Sequence, residues 1–219
     1  MTRREVETLH YDLPDTLPLF PLSGALLLPG GQMPLNIFEP RYLAMVDDAL
    51  SGARLIGMIQ PRNGVADGDP PLYGVGCAGR LTVFNETEDG RYLITLTGIR
   101  RFKLSEELSA DTPYRVAVPD FSPFGDDDEV DDTAASVDRA RLEAAMRQYL
   151  DAEGLKTDWD AVQEAPTEAL ISSLAMGCPF APNEKQALLE ADCAASRADC
   201  LIALMEMSSA GEGGDKTLQ

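Results

Sequence analysis

The sequence predicts an α+β fold, a small β barrel with one inserted helix followed by a C-terminal α-helical bundle. Three observations predict it. Short apolar stretches, several with period-two alternation, recur from Leu17 to Val118, as strands with one buried face require. From Ala140 onward the apolar residues switch to helical spacing. Between the two halves, residues 120–132 hold seven acids and no base, a composition that resists packing and reads as a connection. The expected organisation is a barrel over 1–121, an acidic linker over 122–132, a bundle over 133–209 and a frayed tail over 210–219.

Leu17-Pro-Leu-Phe-Pro-Leu22 is an apolar run broken by prolines, as on a sheet edge. Ala25-Leu-Leu-Leu28 reads as a further extended stretch, closed by the turn residues Pro29-Gly30-Gly31. Met33–Phe38 and Arg54–Gln60 follow as strands. The strongest β signal is the pair 72–85 and 91–104, joined through Asp89-Gly90, which supplies the positive φ of a hairpin turn. Leu81 and Val83 are expected on one face, and Tyr92, Ile94 and Leu96 on another shared side. Tyr114–Val118 is the last strand, ending before Pro119. Full closure would remove the exposed edges of so many short strands. One helix interrupts them, from Pro40 to Gly52 with Leu43, Val46, Ala49 and Leu50 inward, and is expected to plug the barrel.

In the second half, Ala140–Glu153 places Leu142, Ala145, Met146, Tyr149 and Leu150 on one face before Gly154. A second helix runs from Pro166 to Gly177 with Leu170, Ile171 and Leu174 inward. A third opens at Asn183, followed three residues later by Gln186, a capping-box variant. A fourth covers Ser196–Met207.

Composition narrows the function. The chain has 219 residues, 18 Lys+Arg and 37 Asp+Glu, for a net charge of −19. Residues 1–119 carry 11 bases and 15 acids, residues 120–219 carry 7 and 22. So acidic a chain repels polyphosphate, and nucleic-acid binding is disfavoured. No apolar run is long enough for a membrane span, and the start lacks the apolar core of a secretory signal; a cytoplasmic protein is expected.

The four cysteines, Cys77, Cys178, Cys193 and Cys200, include no CxxC pair, and the one histidine is His10. No metal and no cofactor are expected. Cys193 and Cys200, seven apart, fit one buried helix face. Calcium at 120–132 is disfavoured because the spacing lacks the ordered ligand-and-glycine pattern. No P-loop and no Gly-x-Ser-x-Gly elbow occurs. A Ser105–Lys103 dyad would need a desolvated lysine, whereas Lys103 lies in the polar run Arg100-Arg-Phe-Lys103. The expectation is a non-enzyme.

The stretch Leu17–Val46, with Phe38-Glu39-Pro40-Arg41-Tyr42 as its most specific part, resembles the opening of the Lon protease N-terminal domain family. Tyr73–Gly79, Asp89-Gly-Arg91, Leu96–Phe102 and Asn183–Glu190 with Asp192 and Arg197 resemble later parts of it, so the likeness spans residues 15–207. The resemblance implies a PUA-like pseudo-barrel plus a helical bundle, and a stand-alone substrate-binding module without the ATPase and protease domains of full-length Lon. Its implied partner is an unfolded polypeptide or a partner protein. The Phe38–Tyr42 signature is read as structural.

Three consecutive leucines, Leu26 to Leu28, cannot all face the barrel interior if extended. The candidate contact patch is therefore Leu27, Pro29, Met33 and Tyr73, bordered by the loop Pro61–Pro71. The alternative is RNA binding by a PUA-like barrel through Arg80, Arg91, Arg100, Arg101, Lys103 and Arg115.

Overall fold

The structure is a computed structural model and describes residues 13–62, 69–129 and 131–212. Strands β1 (Leu17–Pro21), β2 (Gln32–Ile37), β3 (Leu55–Pro61), β4 (Leu72–Glu86), β5 (Tyr92–Leu108) and β6 (Val116–Asp120) form one sheet in the order β2-β5-β4-β3-β1-β6. β6 also pairs with β5, so the sheet curls back on itself while β2 stays outside as an edge. That is a pseudo-barrel rather than full closure. The edge carries Pro34 and the exposed Gln32 and Asn36, and a proline there discourages strand addition.

Two cores result. Leu17, Leu19, Leu55, Ile59, Ala78, Ile99 and Phe102 fill the barrel. The opposite faces of the same strands (Phe20, Ile56, Met58, Leu81, Ile94 and Leu96) join α1 (Pro40–Ser51) and the helices in a second, larger core. The inserted helix thus buries Tyr42, Met45, Val46 and Ala49 against the barrel's outside, and does not plug its interior. β3 reads as a continuous apolar run because both its faces are covered.

The β4–β5 hairpin turns at Gly90, φ 77°, with the Gly90 N–H donating to the Thr87 carbonyl at 3.0 Å. A register shift between Leu81 and Val83 separates the expected pair: Leu81 is buried and Val83 is 53% exposed. Such a bulge puts successive same-face residues on opposite sides. The last strand lies two residues later than predicted and runs through Pro119, beside a second register shift on β5 at Leu104/Glu106.

The bundle comprises α2 (Arg139–Ala152), α3 (Trp159–Glu164), α4 (Thr167–Gly177), α5 (Pro182–Glu190) and α6 (Ala194–Glu212). α2 buries the five side chains its periodicity selects. α3 was not predicted; Asp158 starts it by accepting hydrogen bonds from the Asp160 and Ala161 N–H groups. At α5 the capping glutamate is Glu184, which accepts from the Ala181 N–H at 2.8 Å, so Asn183 belongs to the first turn. α6 extends to Glu212, past the expected fraying point.

The acidic stretch is packed. Residues 122–128 and 132–136 form two 3₁₀ turns against β5 and α6. Asp127 meets Arg101 with both side chains under 10% exposed, and Asp128 pairs with Arg100. Burial alone would raise the Asp131 carboxyl, but hydrogen bonds from Thr133 and Ala194 and the nearby Arg197 outweigh it and hold it below the usual range. Opposite charges on β5 thus let a run of acids dock, which its composition alone argues against.

Candidate functional site

Polar ties fix the bundle on the barrel. The buried Gln60 of β3 accepts from the Gly24 N–H at 3.0 Å and donates to the Pro182 carbonyl at 2.9 Å, and Gln186 donates to the Val75 carbonyl at 3.1 Å. The buried Lys185 donates to the Met176 carbonyl at 2.9 Å, closing the end of α4. Desolvation lowers the pKa of that ammonium.

These ties hold α4 opposite the start of β2. Between Pro29–Pro34 on one side and Pro166, Ala169, Ser172, Ser173, Met176 and Gly177 on the other lies an open groove of about 810 Å³. α4 buries Leu170, Ile171, Leu174 and Ala175, and its groove side presents the small residues Ala169, Ser172 and Ser173, Met176 and one acid, Glu168. A second recess of about 330 Å³ adjoins the groove, sharing Pro29, Glu168 and Ser172 with it.

Two of the four predicted patch residues, Pro29 and Met33, line this groove. Leu27 does not, because Leu26, Leu27 and Leu28 are each 1% exposed. The segment is not paired as a strand, and bundle and barrel side chains share its core; with cover on both sides, three consecutive leucines can all be inside. Tyr73 lies elsewhere on β4, its ring 5.3 Å below the Arg62 guanidinium. Residues 63–68 of the bordering loop, and His10, lie outside the described residues. The α4 side of the groove was missed. Its signal was Ala169, Ser172 and Ser173 where a solvated helix face usually carries charges.

The Phe38–Tyr42 signature is at the other end of β2. Pro40 opens α1, Arg41 Nε donates to the Glu39 carboxylate at 3.0 Å, and the Tyr42 ring packs 4.4 Å from Phe20. Phe38 is 62% exposed under the Arg91 guanidinium.

Much of the basic cluster is engaged with acids of this chain. Arg101 is buried, and Arg91, Arg100 and Arg115 pair with Asp89, Asp128 and Glu107. Lys103 and Ser105 are both exposed, so that lysine lacks the burial a dyad needs. No group of three or more candidate metal ligands occurs, and no helix is long and apolar enough to cross a membrane, among the described residues.

The cysteines divide. Burial pushes the Cys77 thiol up, and the Cys178 thiol to about 11. Cys193 is not on the helix with Cys200; it precedes α6, accepting from the Ser196 N–H at 3.5 Å. Its contacts with the Ser196 hydroxyl and backbone and with Thr133 lower its pKa, favouring the thiolate. Iodoacetamide at neutral pH is therefore expected to modify Cys193 first and leave Cys77 and Cys178 unmodified in the native state. Peptide mapping against reaction time checks the order; equal rates at Cys193 and Cys77 would contradict it.

Residues 16–207 match the family described as the ATP-dependent protease La (LON) substrate-binding domain. The Lon protease of Flavobacterium johnsoniae is 24% identical over 190 residues, 84% of this chain and 23% of that protein. The Lon protease of Anaeromyxobacter dehalogenans is 28% identical over 137 residues, 60% of this chain and 16% of that protein. The chain thus spans less than a quarter of the length of these relatives. Among solved structures, the Lon N-terminal domain protein from Xanthomonas campestris aligns with a TM-score of 0.60 at 25% identity, covering 86% of this chain and 97% of that one. The N-terminal domain of the Mycobacterium avium complex Lon protease aligns with a TM-score of 0.61 at 16% identity, covering 87% and 98%.

Proposed function

Because the chain belongs to the LON substrate-binding domain family, we propose that it is a recognition module that holds polypeptide, an unfolded segment or a partner protein, in the groove between Pro29–Pro34 and α4. The module does no chemistry on what it holds. The observation that carries this reading is the open groove of about 810 Å³, walled by Pro29, Met33, Pro34, Ala169 and Met176 with small serines between them. Apolar contact is non-directional, and methionine walls adapt to differently shaped side chains. A surface of that kind suits varied sequences.

Ser173 is exposed on the groove wall, so Ser173→Trp should fill the groove without disturbing the buried face of α4. In a fluorescence-anisotropy titration with a labelled, reduced and carboxymethylated chain, the wild type is expected to bind saturably. Ser173→Trp should weaken binding at least tenfold, about 1.4 kcal/mol, with an unchanged unfolding midpoint. Absence of wild-type binding at tens of micromolar, or equal binding by the variant, overturns the proposal.

A further inference from the structure

We propose that the recess beside the groove selects the occupant: an extended apolar polypeptide segment with Lys or Arg one to three residues from its apolar anchors. This rests on the polypeptide-binding reading and adds the chemistry of the segment.

The recess is lined by seven carboxylates and by two guanidinium groups, Arg101 and Arg197. Both arginines are already engaged. Arg101 holds Asp127 and the Leu189 and Ala191 carbonyls; Arg197 donates to the Leu188 and Ala191 carbonyls. Asp131 is spent on the Thr133 and Ala194 N–H groups. That leaves Asp126, Glu129, Asp132, Glu168 and Asp192, all exposed and in none of the ion pairs among the described residues. Their charges repel one another and are relieved by a cation.

Apolar and acidic surfaces are continuous. Glu168 borders both cavities and lies one helical turn from Ser172, which also borders both. One turn is about 5.4 Å, and an extended chain advances about 3.3 Å per residue. A single extended segment therefore reaches both surfaces within a few residues. The same acids reject acidic segments, so discrimination has an attractive and a repulsive part.

The test uses the full chain and three fluorescent peptides with one apolar core, flanked by Lys, by Ser or by Glu. At low salt the expected order of affinity is Lys, then Ser, then Glu, with at least tenfold between the extremes. The spread should shrink as salt rises to 0.5 M, where screening shortens the reach of exposed charges. It should also shrink in the triple variant Asp126→Asn, Glu129→Gln, Asp132→Asn. If the triple variant is not folded by circular dichroism, Glu168→Gln with Asp192→Asn takes its place. The Lys peptide should slow iodoacetamide modification of Cys193, which lines the recess, more than the Ser peptide does at equal occupancy. Equal affinities for all three peptides overturn this inference and leave the polypeptide-binding reading standing. No binding of any peptide, with the chain folded, overturns both.

Discussion

Arg101→Ala is expected to destabilise the protein by about 3–5 kcal/mol, the usual cost of breaking a buried ion pair from one side. The Arg101 side chain leaves β5 and donates through Nη2 to Asp127 at 2.7 Å and through Nη1 to the Leu189 and Ala191 carbonyls at 3.0 and 2.7 Å. Its backbone N–H also donates to Asp127, at 2.8 Å. The Phe124 ring lies 4.6 Å from the guanidinium. One side chain thus joins the barrel, the acidic segment and the end of α5. Removing it leaves the buried Asp127 carboxylate with the residue 101 backbone N–H but no counter-charge from that side chain, and takes the Arg101 donor from the Leu189 and Ala191 carbonyls, of which Ala191 keeps Arg197. Urea unfolding followed by circular dichroism measures the loss. Asp127→Asn should cost less, because an amide oxygen can still accept from the Arg101 N–H. A loss below about 1 kcal/mol for Arg101→Ala would mean the pair behaves as a solvated surface bridge.

Gly98→Ala is the second large effect. An added Cβ would run into the Leu28 carbonyl oxygen, which is backbone and cannot rotate aside. The two segments are pinned there, the Gly98 N–H donating to the Gly31 carbonyl at 2.8 Å and the Gly30 N–H to the Gly98 carbonyl at 2.9 Å. Overpacking of this kind costs about 1–3 kcal/mol and occasionally more, and rigid backbone puts this site at the upper end. For a chain of this size, 3 kcal/mol lowers Tm by roughly 6–12 °C. Because Pro29–Pro34 form one groove wall, polypeptide binding should fall with it. Gly74→Ala, where an added Cβ meets nothing within 4 Å, is the control and should leave Tm nearly unchanged. A Gly98→Ala protein with wild-type Tm would show that Leu28 is not seated against β5 in solution.

Much of the architecture was readable from residue order because local periodicity reports which face is covered. Ile94 and Leu96 on β5, and Leu142 to Leu150 on α2, are buried as their spacing requires. Gly90 and Gly154 both adopt the positive φ expected of a turn and a helix end. Two of the errors share one cause, a neighbour distant in the chain. The alternation rule turned one of Leu26–Leu28 outward, but the bundle covers the side the barrel leaves open. The acidic run looked solvated until Arg100 and Arg101 arrived from β5. Of the candidate patch, Leu27 is in the core and Tyr73 lies away from the groove, under the Arg62 guanidinium.

By itself, the sequence determined the class of the fold, the likeness to the family and that this stretch holds no P-loop or nucleophile-elbow motif, since each is read from residues close together in the chain. Tertiary structure alone decided where the groove opens and what walls it. Pro29 and Met33 meet Ala169, Ser173 and Met176 across more than a hundred residues of chain, and long-range ties such as those from Gln60, Gln186 and Lys185 help hold the two sides in place. A cavity is a relation between surfaces, and no periodicity within either surface encodes it.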